Sequence, residues 1–315
     1  MKKNFRLLSA LLSLLLLFSL TFTSCDLFEQ LPTLTTAPVT TQEPQNPENP
    51  PAPPAQTEFD LSLVPAFSGE PHYVVNNNVP FFTADEITDE SYEYYAPRDE
   101  LERCTYTMAC IGKDLMPTGS RGSISHIKPT GWQSVSYSIV NGDSLYNRCH
   151  LIGWQLTGED ANRENLITGT TFMNNKGMLP FENQVAAYIK ETGNHVMYRV
   201  TPIFEGNNLL CTGVLMEAYS VEDEGDGICF NVFCYNSQPG IILDYATGDS
   251  RLEDESQVPE VPEGATYIIN TSSKKIHRLD SKYYGALTAN MEYTTKTLEQ
   301  LLKEGYTTCG TCKPS

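Results

Sequence analysis

Positive charge is scarce in this sequence. Its 315 residues carry 21 Lys and Arg against 39 Asp and Glu, a formal net charge of -18. That balance excludes a chain-wide basic face that would hold a polyanion by counterion release. It leaves room for a local cleft in which a bound cation attracts phosphate against the global field. A membrane-spanning run is also lacking. The longest apolar stretch, residues 7–20, is broken by serines and is shorter than a spanning helix needs. Internal repeats are absent, and histidine occurs five times.

The N-terminus reads as an export signal. Lys2, Lys3 and Arg6 precede the apolar stretch, which ends in Phe22-Thr23-Ser24-Cys25. A cysteine after small residues at this place resembles a bacterial lipobox, which makes Cys25 the expected lipid-bearing residue. Ordinary signal cleavage beside an incidental cysteine is the alternative. Residues 29–56 are rich in Pro and Thr, a composition that stays extended and buries no core, so they read as a stalk. The resulting divisions are a signal peptide (1–24), a linker (25–57), a main domain (58–252), an acidic linker (253–264) and a small C-terminal Cys/His unit (265–315).

The main domain reads as α+β, an antiparallel meander with few helices. Strand-like segments fall at 73–76, 81–82, 104–111, 135–140, 196–204, 209–219 and 227–235. Residues 179–192 read as a helix stopped by Gly193. In the C-terminal unit, 267–269 reads as a strand and 297–304 as a short helix. Export permits disulfides, and Cys104 with Cys110, or either with Cys149, are candidate pairs. Cys229 and Cys234, an odd number of residues apart on one strand, face opposite sides and are not a pair.

The chemically informative residues are Asn147-Arg148-Cys149-His150, then Asn165, Asn174-Asn175 and Glu182. Phosphodiester hydrolysis needs a base for water and a cation for the charge that builds on phosphate. Neutral histidine suits the first role. A hard cation such as Mg²⁺ takes oxygen donors and keeps several waters, so one Asn oxygen suffices as its direct ligand while Glu182 orders the waters. Arg148 suits phosphate oxygens. By itself, a histidine in such a run is more often a structural residue; the joint spacing is what favours catalysis. Asn175 is the rival to Asn174. His126 has no ligand pattern around it, His72 and His195 sit beside strand-like runs, and Arg121 is a weak second phosphate contact.

This pattern resembles the DNA/RNA non-specific endonucleases, with their ββα-metal fold, and bacterial DNA-entry nucleases in particular. The family signature Asp-Arg-Gly-His stands here as Asn147-Arg148-Cys149-His150. An Asn followed nine residues later by a metal-binding Asn matches Asn165 and Asn174, and a carboxylate eight residues on matches Glu182. The likeness continues through Phe230-Asn231-Val232 and residues 244–248. It implies His150 as general base, Asn174 as the Mg²⁺ (or Mn²⁺) ligand, Asn165 as a positioning residue and Arg148 as the phosphate contact. DNA or RNA would be the substrate. Asn147 for Asp removes a negative charge, and Cys149 for Gly adds a side chain where the family has none.

His277, Ser281, Cys309 and Cys312 are similar in placement to the zinc module at the start of bacterial alkylation-repair proteins. Hydroxyl oxygen is a poor Zn²⁺ ligand, so two alternatives stand: a site of His277, Cys309 and Cys312 completed by Asp280 or water, or a module that has lost its metal. The expectation for the whole chain is an exported, metal-dependent endonuclease, lipid-anchored facing outward or secreted, whose protein partners the sequence does not indicate. The rivals are a surface lipoprotein that binds nucleic acid or a partner without cutting, and a nutrient-binding lipoprotein.

Overall fold

The computed structural model describes residues 58–254, 256, 260–281, 290–310 and 312–315. The leader, Cys25 and the stalk lie outside the described residues. Among those described, no helix is long and apolar enough to cross a membrane.

The main sheet is six-stranded and antiparallel throughout. Its strands are β1 (His72–Val74), β2 (Tyr92–Tyr95), β3 (Thr107–Ile111), β6 (Val196–Ile203), β7 (Gly213–Ser220) and β8 (Cys229–Tyr235), in the order β1-β8-β7-β6-β3-β2. Between β3 and β6 the chain makes a separate antiparallel ribbon of β4 (Tyr146–His150) and β5 (Leu166–Thr170), joined through the short helix α1 (Trp154–Thr157). A π-helical turn, Met173–Met178, then leads into α2 (Leu179–Thr192). Ribbon followed by helix is the ββα unit, so the fold is α+β as the sequence implies. A second ribbon pairs β9 (Ile241–Leu243) with β10 (Ser250–Leu252). The C-terminal unit holds a sheet of order β13-β11-β12-β14, built from β11 (Tyr267–Asn270), β12 (Lys275–His277), β13 (Met291–Thr294) and β14 (Thr307–Thr308), with α3 (Leu298–Lys303).

Local sequence explains α2. Pro180 sits in its first turn, where a missing N–H costs nothing. Gly193 closes it at φ 79°, a left-handed position that suits glycine, and donates its N–H to Ile189 O at 2.9 Å. Val185, Ala186 and Ile189 share its buried face and pack with Leu151, Ile167 and Met173 against Val214, Met216 and Val232 of the sheet. Leu215 and Phe233 point the other way and are covered by Phe59 and Phe67 of the segment before β1. Both faces of the sheet are therefore buried, and the ββα unit is seated on one of them.

Two strand expectations fail and a third is shortened. Residues 135–140 form turns with one isolated bridge, Ser136 to Ser144. Their alternation comes from Val135, Tyr137 and Val140 packing into a cluster with Leu145 and Tyr146, while Tyr137 N–H and Val140 N–H make turn bonds. Phe81 and Phe82 are not a strand: Phe81 N–H donates to Glu217 Oε1 at 2.7 Å and the Phe82 ring lies under Arg199. Residues 209–212 do not extend β7, because the N–H groups of Leu209 and Leu210 both go to Tyr245 O. Nor are Cys104, Cys110 and Cys149 in disulfides. The thiols of Cys104 and Cys110 donate to carbonyl oxygens instead.

Candidate active site

Strand alternation sends Cys149 into the core and turns Tyr146, Arg148 and His150 to the other side, where they line a cavity of about 690 Å³. Cys149 is fully buried. Space for it comes from Gly169 on β5: a Cβ there would lie 2.4 Å from Cys149 Sγ and 2.5 Å from Met173 Cε. The side chain that departs from the family signature is thus absorbed by the core and does not enter the cavity.

His150 is buried and held at both ring nitrogens. Nε2 lies 2.8 Å from Asp160 O, and Nδ1 lies 3.0 Å from Arg121 Nη2. A carbonyl oxygen can only accept and a guanidinium can only donate, so these partners assign the proton to Nε2 and the lone pair to Nδ1. Burial lowers the His150 pKa below the ordinary histidine value, and the Arg121 charge adds to this; the bond to Asp160 O opposes it. The ring is therefore neutral at neutral pH, with its basic nitrogen against Arg121, and both residues line the cavity.

Asp160 works twice. Its main-chain oxygen holds His150, while its side-chain Oδ2 accepts from Gly122 N–H at 2.8 Å, next to Arg121. A Cβ on Gly122 would come within 2.7 Å of that same oxygen, so the close approach needs glycine. Sequence reasoning missed Asp160 and undervalued Arg121. No residue type announces a carbonyl contact, and the Ser/Gly loop carrying Arg121 has no periodicity.

Arg148 is fixed by its surroundings. Nε donates to Ile127 O, Nη2 donates to Ser125 O at 2.8 Å, and the guanidinium lies 4.0 Å from the centre of the Trp132 ring. Asn147 borders the cavity and donates its amide to Thr171 Oγ1 at 2.6 Å. Asn165 is not in the cavity at all. It is fully buried, accepts from Ile152 N–H at 2.8 Å and donates to Ile152 O at 3.0 Å. It brackets the turn that follows His150.

Asn174, in the π-helical turn, donates Nδ2 to Asn175 Oδ1 at 2.8 Å, which leaves its own Oδ1 as an acceptor at the cavity wall. Glu182, in the first turn of α2, is the carboxylate among the cavity-lining residues. Burial pushes its pKa up to about 7, with the Gln155 amide and the Arg121 charge pulling the other way. Among the described residues no cation lies within ion-pair distance of it. Gly153 lets the chain pass close by, since a Cβ there would be 2.9 Å from Glu182 Oε2. An amide side chain and a buried carboxylate that line one cavity fit a hard divalent cation that retains several waters.

Elsewhere, His126 is exposed, His72 packs edge-on against Phe181, and His195 pairs with Glu222 at 2.6 Å. In the C-terminal unit, ligand atoms of His277, Cys309 and Cys312 all lie within 4.8 Å of one another. Asp280 is outside that cluster and pairs with Arg278.

Residues 83–222 match the family model described as DNA/RNA non-specific endonuclease. The structure is similar to crystal structures of NucA from Streptococcus agalactiae. With magnesium ion bound, the match has 26% identity and a TM-score of 0.51 over 58% of this chain and 86% of that one. With no metal bound it has the same identity and score over 58% and 87%. A weaker likeness is to Sda1 nuclease with bound zinc ion, at 27% identity, a TM-score of 0.44, and 50% and 80% coverage.

Proposed function

We propose, from the match of residues 83–222 to the DNA/RNA non-specific endonuclease model, that this chain hydrolyses nucleic-acid phosphodiesters with one divalent cation and His150 as general base. The observation that carries the proposal is the neutral His150 ring, with Nε2–H committed to Asp160 O and the Nδ1 lone pair against Arg121, in a cavity that Arg121, His150, Asn174 and Glu182 all line.

In the resting arrangement Arg121 covers Nδ1. A phosphate entering the cavity offers this guanidinium an anionic acceptor, which makes a stronger hydrogen bond than neutral imidazole does. Once Arg121 turns to the phosphate, Nδ1 is open to water. His150 then takes the proton as the water oxygen attacks phosphorus, the scissile P–O bond breaks, and the leaving oxygen is protonated from solvent. Arg148, held by two carbonyls and Trp132, presents fixed positive charge beside the phosphate. Asn174 would hold the cation directly and Glu182 through its waters; Mg²⁺ or Mn²⁺ there would supply charge stabilisation. Asn165 acts through Ile152 and does not touch substrate.

Export, and attachment through a lipid on Cys25, complete the proposal; the charged leader, the lipobox-like Phe22-Thr23-Ser24-Cys25 and the Pro/Thr stalk support it. A binding-only reading draws on Asn147 in place of the family Asp and on the net charge of -18. Plasmid nicking separates the two. The purified chain should cut in Mg²⁺, stop in EDTA and resume on Mg²⁺ addition, and His150→Ala should be folded and inactive. A wild-type chain that retains plasmid without nicking it would establish the binding-only reading. A His150→Ala variant that cuts at the wild-type rate would remove His150 as the base.

A further inference from the structure

Resting on the nuclease reading, we propose that Lys128 and Arg163 form a second phosphate site, which grips the nucleic-acid backbone a few nucleotides from the bond that is cut. The site is a pocket of about 220 Å³, separate from the catalytic cavity, and Arg98, Glu102, Ile127 and Leu166 line it together with the two cations.

Two walls join this pocket to the cavity. One is the loop 125–128: Ser125 lines the cavity, while Ile127 and Lys128 line the pocket. Arg148 clasps that loop, with Nε on Ile127 O and Nη2 on Ser125 O at 2.8 Å. The other wall is the ribbon, where His150 of the cavity stands opposite Leu166 of the pocket in the β4–β5 register. Residues opposite each other in such a ribbon lie about 5 Å apart. Ser125 and Lys128 are separated by at most about 11 Å of extended chain. Backbone phosphates advance about 3.4 Å per nucleotide along a duplex axis, so roughly three nucleotides cover that distance.

The pocket also holds charge that the fold does not use. Arg98 pairs with Glu102 and with Glu164, its Nε lying 3.2 Å from Glu164 Oε1. Glu102, the carboxylate among the lining residues, is thereby committed to Arg98. Lys128 and Arg163 are exposed, and among the described residues neither has an ion-pair partner. Their charges remain for a ligand, in a chain whose net charge of -18 otherwise repels a polyanion.

The backbone under both cations is anchored. Arg148 holds the loop that carries Lys128. The Cys104 thiol lies 3.3 Å from both Arg163 O and Leu166 O, and Asn162 Oδ1 caps the turn by accepting from Glu164 N–H at 2.9 Å. Fixed main chain with unengaged cationic heads suits a phosphodiester, which offers anionic oxygens in any base sequence. Contacts of this kind set the register of a strand on a protein, and each phosphate neutralised adds salt-dependent affinity. A strand held here and at Arg148 is gripped on both sides of the wall that Arg148 clasps, which aligns its phosphates with His150.

The test uses the full chain and a fluorescein-labelled DNA duplex in EDTA, so that binding is read by anisotropy without cleavage. Against log salt concentration, the slope of log affinity should be shallower by about 1.8 in Lys128→Gln/Arg163→Gln, the loss of two phosphate contacts. Both side chains are exposed, so the variant should keep the parent's circular dichroism. With Mg²⁺, its KM for plasmid should rise several-fold at unchanged kcat. Lys113→Gln/Lys190→Gln removes the same charge from exposed positions in neither cavity nor pocket, and should keep the parent's slope. Equal slopes in parent and Lys128→Gln/Arg163→Gln, an equal loss in the control pair, or a parent that does not bind the duplex would overturn the proposal. So would an unchanged duplex slope with lost binding to phosphatidylglycerol vesicles, which would assign the pocket to a lipid surface. A parent that shows the slope difference but never cuts would sink the nuclease reading and leave the phosphate site standing; a parent that cuts, with equal slopes, would do the reverse.

Discussion

Replacing Asn165 by Ala tests whether this residue builds the site from within the core. The side chain is fully buried, and its two polar ends are spent on the N–H and C=O of Ile152, itself fully buried. Alanine leaves both main-chain groups without partners. An orphaned buried donor or acceptor costs about 1–3 kcal/mol, so the pair costs about 2–6 kcal/mol before any water enters the void. Against a typical domain stability of about 5–15 kcal/mol that is a large share. Urea unfolding followed by far-UV circular dichroism should show the midpoint fall with an unchanged slope. Asn165→Asp, nearly isosteric, keeps the acceptor and sets a second oxygen against Ile152 O. It should be destabilised at neutral pH and recover in part on acidification, as the protonated acid again donates. Because Asn165 does not reach the cavity, the folded fraction of the Ala variant should retain measurable cleavage. A destabilisation below about 0.5 kcal/mol, the usual range for uninvolved surface sites, would refute the bracket.

Removing the Arg121 charge should raise the His150 pKa. His150 is active when neutral, so the acid limb of the rate profile should move to higher pH in Arg121→Ala; a limb that stays in place would mean Arg121 does not face the base in solution. Asn174→Ala should raise the Mg²⁺ concentration needed for half-maximal nicking, and Glu182→Ala should do so more mildly, while a dominant effect at Asn175→Ala would shift the ligand by one residue. Gly169→Ala should destabilise by about 1–3 kcal/mol through overpacking, and Cys149→Gly in the same chain should recover part of it; additive losses in a double-mutant cycle would show that the two positions do not share space. Cys25→Ser should release the protein from cells with its specific activity unchanged, and a wild-type chain found wholly in the medium would make Cys25 incidental.

Much of this architecture was legible because its period is local. The β6–β8 meander announces itself by alternation between glycine-rich turns, and α2 by its apolar face and Gly193. The spacing of His150, Asn174 and Glu182 identifies the cavity because a strand, a π-helical turn and a first helical turn lie in succession. Spacing does not say which side of the backbone a residue takes. Asn165 belongs to the same run yet sits in the core, and Tyr137 alternates with its neighbours without belonging to a strand. Arg121 and Asp160 come from loops, and their link to His150 runs through a guanidinium and a main-chain oxygen, contacts that no periodic pattern encodes.

The tryptophan that stacks on Arg148 gives the molecule an optical property. The sequence has two tryptophans, Trp132 and Trp154, and both border the cavity. Intrinsic tryptophan emission therefore originates wholly at the cavity wall. Quenching by an oligonucleotide or by Mn²⁺ would report occupancy of that space directly, with no label and no background from distant indoles.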